Sequence, residues 1–172
     1  MKSELLKTFE ALKVKAGRGD AKAQHKLAMC YLQGIAVPRD SAEATKWFRK
    51  AAEQGSAEAQ FYLGARYLNG DGVPKNELEA VKWYRKSVDQ GFVEAQFNLG
   101  VCYTDGAGVP QDEVAAFKWY QKAAEQGFDL AQGNLGVCYD NGIGVTKNKV
   151  EAYAWFSLAA LTNAPDQDNL AR

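Results

Sequence analysis

Apolar residues fall three and four positions apart along most of the chain, the spacing of one helix face rather than the alternation of a strand. In residues 55–90, Ala59, Leu63 and Tyr67 form a stripe at i, i+4 and i+8, which predicts a first helix near 57–69. Ala80, Trp83, Tyr84 and Ser87 follow at i, i+3, i+4 and i+7 and predict a second helix near 77–89. Between them runs Asn69-Gly70-Asp71-Gly72-Val73-Pro74. Its glycines supply the left-handed positions that end a helix, and Pro74 leaves the chain extended before the next one.

This pattern recurs. Ala-Gln stands at 23–24, 59–60, 95–96 and 131–132, and tryptophan at 47, 83, 119 and 155, always 36 residues apart. Four ungapped blocks follow: 19–54, 55–90, 91–126 and 127–162. Gly55, Ala59, Gln60, Leu63, Tyr67, Gly70, Val73, Ala80 and Trp83 of the second block are the same residue in all four. One helix pair cannot cover its own apolar stripe, so neighbouring pairs must stack, with each tryptophan a large knob between helices. The expected fold is an all-α solenoid of four 36-residue helix pairs.

The second helices begin on Asp40, Asn76, Asp112 and Asn148, all good caps. Glu43, Glu79 and Glu151 stand three residues later, which predicts a capping box with a return bond to the cap amide; Ala115 in the third copy lacks it. Gly55, Gly91 and Gly127 read as helix stops. Departures are local. Ala36 replaces the second loop glycine of copy one, Thr146 replaces the loop proline of copy four, and Gly133 weakens its helix by about 1 kcal/mol.

Ala-Gln-x-x-Leu-Gly-x-x-Tyr, then Gly-x-Gly-Val-Pro, then Glu-Ala-x-x-Trp-Tyr at this period resembles the Sel-one-like repeat family, a relative of the tetratricopeptide repeats. The resemblance covers residues 19–162. It implies a right-handed α-α superhelix whose first helices line a concave face, and a role as an adaptor or scaffold that binds other proteins.

At the ends, residues 1–18 read as an N-terminal cap, with a helix at 3–16 whose Leu5, Phe9, Leu12 and Ala16 face inward. Residues 163–172 read as a tail beginning a capping helix. In the last second helix Leu158 and Leu161 replace the charges of earlier copies, which marks them as candidates for weak self-association.

Charge and chemistry narrow the function. The 172 residues carry 21 Lys plus Arg and 21 Asp plus Glu, a balance that argues against a nucleic-acid partner. No apolar run reaches the length of a membrane span. With one histidine and three cysteines, neither an enzyme, a metal site nor a cofactor is expected. Cys30, Cys102 and Cys138 share one register, with Arg66 in the fourth place. First helices packed about 8–10 Å apart hold such residues beyond disulfide reach, so they read as small hydrophobes in a reducing compartment, the cytoplasm, or the periplasm had a leader been removed. A cysteine-rich branch of the family, linked to penicillin binding and β-lactamase activity, offers a hydrolase alternative. That branch pairs cysteines within each repeat, and neither such pairs nor Ser-x-x-Lys occurs here.

The buried amides Gln24, Gln60, Gln96 and Gln132 read as structural, bonded to a neighbouring loop backbone rather than to a ligand. The lysines at 46, 50, 82, 86, 118 and 122 read as a solvated outer face paired with Glu43, Glu79, Glu53 and Glu125. By analogy with the tetratricopeptide repeats, a groove binds a protein or peptide partner. Lys22, His25, Lys26 and Met29 line its first part, and Glu58, Phe61 and Tyr62 the second. Glu94, Phe97, Asn98 and Val101 line the third, and Asn134 and Val137 the fourth. An aromatic strip flanked by charge suits a peptide; the alternative is that Phe61 and Phe97 pack between adjacent repeats.

Overall fold

The 36-residue period becomes helix, turn, helix. A computed structural model describes residues 2–162, among which there are nine helices and no strand. Helix α1 (Lys2–Gly17) precedes four pairs: α2 (Ala21–Gln33) with α3 (Ser41–Glu53), α4 (Ala57–Asn69) with α5 (Glu77–Val88), α6 (Val93–Asp105) with α7 (Glu113–Glu125), and α8 (Asp129–Asn141) with α9 (Lys149–Thr162). The chain divides into two compact units, Met1–Phe92 with α1–α5 and Val93–Arg172 with α6–α9. The capping helix expected within 163–172 lies outside the described residues.

Each first helix stops on a left-handed glycine. Gly34, Gly70 and Gly142 have φ of 73°, 79° and 76°, and their amides donate to the carbonyls of Cys30, Arg66 and Cys138. The chain then turns back to start the second helix. Asp40 accepts from the amides of Ala42 and Glu43, and Asn76 from that of Glu79, as expected of caps.

The return bond of the capping box is not what closes them. Glu43 and Glu79 turn outward to Lys46 and Lys82, at 2.9 and 2.6 Å. The cap amides of Asp40, Asn76, Asp112 and Asn148 donate instead to the carbonyls of Tyr31, Tyr67, Tyr103 and Tyr139, nine residues back. With that donor already satisfied, the third copy loses nothing by carrying Ala115.

In the first unit the core runs through Phe9, Ala16, Leu27, Phe48, Ala51 and Leu63, all buried. Helix α1 keeps the repeat's register: Gln24 donates to the carbonyl of Ala16, and Gln60 to that of Ala52, both at 3.1 Å. It therefore stands where a second helix would. Phe9 and Ala16 are buried and Leu12 is half-buried, as expected of its inner stripe. Leu5, expected inward, is half exposed, because the turn of helix that carries it does not close on the loop after α2. Leu5 and Leu6 with Ala36, Val37 and Pro38 line a gap of about 600 Å³ there.

In two later loops the second glycine lies hard against the preceding second helix. A Cβ on Gly72 would run into the carbonyl of Ser41 at the start of α3, and one on Gly144 into that of Glu113 at the start of α7. Ala36 holds the matching place at φ 65° and can carry a side chain because the facing helix is α1.

Trp47 and Trp83 are buried to 9 % exposure, and Trp119 and Trp155 are half-buried. The ammonium groups of Lys50, Lys86 and Lys122 lie 4.2, 4.0 and 4.5 Å from the ring centroids of Trp47, Trp83 and Trp119. Of the six outer lysines, Lys46 and Lys82 pair with glutamates, while these three cover indoles instead of pairing with Glu53 or Glu125. In the second unit Ala123, Ala124, Ala131 and Leu135 form one cluster, and Ala116, Tyr120 and Cys138 another.

Candidate functional site

Which side of a first helix can meet a partner follows from what packing consumes. In α4, Ala59 and Leu63 are fully buried and Gln60 nearly so. The buried amides hold the stack together. Gln24, Gln60 and Gln132 donate to Ala16, Ala52 and Ala124, and Gln24, Gln60 and Gln96 accept from Gln54, Gln90 and Gln126 at 2.6–2.8 Å. Their backbone acceptors lie in the last turn of the preceding helix, α1, α3 or α7, not in a loop as expected, because the loop carbonyls of Asp20, Ser56 and Phe128 already accept the backbone amides of these same glutamines.

In the first unit the remaining side of α2 and α4 carries Lys22, Lys26 and Glu58, all exposed, and His25, Met29, Phe61 and Tyr62, half-buried. Tyr62 stacks on Phe48 with centroids 4.9 Å apart and planes at 13°. His25 leans on both rings, at 5.6 and 5.7 Å. Its Nε2 is buried without a hydrogen-bond partner, 3.5 Å from Glu58 Oε1. Burial lowers the pKa of His25; Glu58 opposes this and Lys26 reinforces it. The imidazole is neutral near pH 7.

Phe61 is not a bare aromatic. It packs on Tyr62, Tyr84 and Phe92, with centroids 5.2, 6.1 and 5.3 Å away. In the second unit Phe97 does the same with Tyr120 and Phe128, at 5.8 and 5.3 Å. Phe92 and Phe128 escaped the sequence reading. A signal was present, since 36 and 72 residues earlier the same place holds Ser56 and Asp20, each accepting a helix amide. Phe128 makes no such cap; its ring serves Phe97 instead.

Also in the second unit, Glu94, Asn98, Val101 and Asn134 are half-buried, and Leu130 and Val137 are exposed. Asn134 bonds the hydroxyl of Tyr120, which also meets Thr104 Oγ1 at 2.8 Å. Burial raises the pKa of that phenol.

Cys30 is half-buried, Cys102 and Cys138 are buried, and none of the three forms a disulfide; burial raises the thiol pKa of Cys30 and pushes that of Cys138 up to about 11, away from thiolate chemistry. Arg66, in the same register, is buried and paired with Asp71 at 3.0 Å.

On α9, Leu158 is half exposed and Leu161 is 73 % exposed. They occupy the places of Lys50 and Glu53, which face solvent. Val150, at 79 %, Tyr153, at 77 %, and Phe156, at 41 %, are further exposed apolar residues of this helix that the replacement of charges does not reveal.

Comparison with known proteins bears on this arrangement. Sel1 repeat matches fall on residues 21–56, 57–92, 93–128 and 129–161. A protective antigen of uropathogenic Escherichia coli strains with an SLR fold is 46 % identical, with a TM-score of 0.87 over 91 % of this chain and 33 % of its own. A Sel1 repeat protein from Oxalobacter formigenes is 34 % identical, with a TM-score of 0.89 over 92 % of this chain and 63 % of its own. This chain therefore spans a third of the first and under two thirds of the second. Cysteine rich protein B of Helicobacter pylori, 22 % identical at a TM-score of 0.58 over 77 % of this chain and 95 % of its own, shares the fold alone. None of the curated proteins compared matches the chain. Among the described residues no helix is long and apolar enough to cross a membrane. Sel1 repeats generally serve as protein–protein interaction modules of non-enzymatic, scaffold type. With four tandem matches over nearly all its described residues, the chain belongs to the Sel1 repeat family and is an all-α solenoid.

Proposed function

We propose that the chain is a non-enzymatic scaffold or adaptor that binds a peptide or protein segment on the free sides of its first helices. One observation carries this reading. Of the positions identical in every copy, the first-helix Ala59, Gln60 and Leu63 and their equivalents are all buried by stacking, whereas first-helix positions that differ between copies, such as Lys22, Lys26 and Glu58 beside Met29 and Tyr62, keep access to solvent. An apolar centre bordered by both signs of charge fits a peptide better than a small polar metabolite. Three cysteines that form no disulfide fit a reducing compartment such as the cytoplasm.

Truncating Phe61 or Phe97 tests this poorly, because each ring also packs its own unit. Charge reversal at exposed positions is cleaner. A chain carrying Lys22→Glu, Lys26→Glu and Glu58→Lys keeps its helical circular dichroism and loses the partners that the parent chain captures. Full capture by this variant, and by one carrying Leu130→Asp and Val137→Asp, would place the binding surface elsewhere.

A further inference from the structure

Two of the outer lysines are neutralised by their own helix. Lys46 and Lys82 each meet the carboxylate of a glutamate three residues earlier, Glu43 and Glu79, at 2.9 and 2.6 Å. In α7 the lysine is kept as Lys118, but Ala115 stands in place of the glutamate, which removes a methylene and a carboxylate. Among the described residues Lys118 makes no ion pair. A surface cleft of about 440 Å³ lies there, lined by Ala115, Lys118, Trp119 and Lys122 together with Asp112, Gln121 and Glu125.

The cleft's own acids do not supply the missing group. Asp112 accepts from the amide of Ala115, and Glu125 from the side-chain amide of Gln121, both at 2.9 Å. These two residues stand about 20 Å apart along the helix axis, with Lys118 between them. The Lys122 ammonium lies 4.5 Å from the ring centroid of Trp119, which is half-buried where Trp47 and Trp83 are 9 % exposed. An unpaired cation therefore has a second cation and an indole beside it. We propose that this cleft takes a glutamate side chain from an acidic peptide segment of another protein. Its carboxylate accepts from the Lys118 ammonium, as Glu43 does from Lys46, and its methylenes lie against the Trp119 indole. Charge complementarity defines the occupant: the chain makes this contact with its own glutamates in α3 and α5, and α7 lacks the group that a partner brings. An exposed ion pair alone is weak; the Lys122 charge and the indole wall add to it. The cleft lies on a second helix, so its test is independent of the first-helix surface proposed above.

The probe is the peptide acetyl-Glu-Leu-Glu-amide, titrated at constant ionic strength into the full chain labelled for nitrogen NMR. The reporters are the backbone amide of Lys118 and the indole N–H of Trp119, with the indoles of Trp47 and Trp83 as internal controls. Saturable shifts with a Kd in the millimolar range are expected at the first pair. Ala115→Glu, which restores the internal carboxylate, weakens binding about tenfold; glutamate already stands at this place in α3 and α5, so the variant folds. The peptide acetyl-Gln-Leu-Gln-amide produces no saturable shift. Absence of saturable shifts with the acidic peptide, an unchanged Kd in Ala115→Glu, or equal binding of the glutamine peptide overturns the proposal. So do equal shifts at Trp47 and Trp83, which would reduce the effect to a general attraction of acid to surface lysines.

Discussion

The amide of Asn76 donates to the carbonyl of Tyr67 at 2.8 Å, pinning the start of α5 to the end of α4 across the intervening loop. The bond joins the two helices of one repeat at the point where the chain reverses. It also takes the donor for which Glu79 stands in capping-box position. Glu79→Ala is therefore expected to change stability by less than about 0.5 kcal/mol, whereas Asn76→Ala, which leaves the Glu79 amide unpaired, costs about 1 kcal/mol. Urea denaturation of the two variants decides this; equal losses would mean that the glutamate does close the cap.

The glutamine ladder is a second place where a buried polar group fixes the stack. Gln60 bonds Ala52 through its nitrogen and Gln90 through its oxygen. Gln60→Leu strands both partners in a nearly dry site and is expected to cost about 1–3 kcal/mol. Gln90→Ala, at an exposed residue, costs less than about 1 kcal/mol. Chemical denaturation curves that ranked the two in the opposite order would contradict the assigned roles.

Helices and period were legible because both are written in local spacing: Leu63 and Tyr67 follow Ala59 at helical intervals, and Trp83 follows Trp47 by 36 residues. The partner of each cap amide was not, since it depends on the path by which a loop brings residue 76 back to residue 67. The same limit hid the packing of Phe61. Part of its half-burial comes from Phe92, which stands at a cap position and carries no helical periodicity of its own. The exposed apolar surface of α9 was only partly legible for a related reason. Leu158 and Leu161 stand out because they replace charges, whereas Tyr153 and Phe156 replace residues that are already apolar or uncharged.

Two loop positions in equivalent places should respond to substitution to very different degrees. Gly72 lies against the carbonyl of Ser41, so Gly72→Ala combines a left-handed alanine with a backbone clash. It is expected to lower stability by more than about 2 kcal/mol. Ala36 already holds a positive φ beside open space. Ala36→Gly relieves that conformation at some cost in chain entropy, and the net change stays within about 1 kcal/mol. Thermal melts of both variants check the contrast, and a Gly72→Ala chain as stable as the parent would show that the loop does not rest on α3.

His25 couples the first unit to pH. Desolvation against Phe48 and Tyr62 holds its pKa below the ordinary 6.5, with Glu58 opposing and Lys26 reinforcing. The unfolded chain therefore binds the proton more readily than the folded one, and stability rises with pH wherever that difference persists. Above about 6.5 both states carry a neutral imidazole and the contribution is complete; it is lost as pH falls below that value toward the folded pKa. Melting temperature is expected to drop between about pH 7 and pH 5 in the parent chain, and less steeply in His25→Gln, which has no proton to gain. Glu58→Gln removes the one charge that favours the imidazolium, so its drop is steeper than the parent's. A His25→Gln chain with the parent's slope would mean that other groups govern the response, and a shallower Glu58→Gln slope would reverse the role given to that carboxylate.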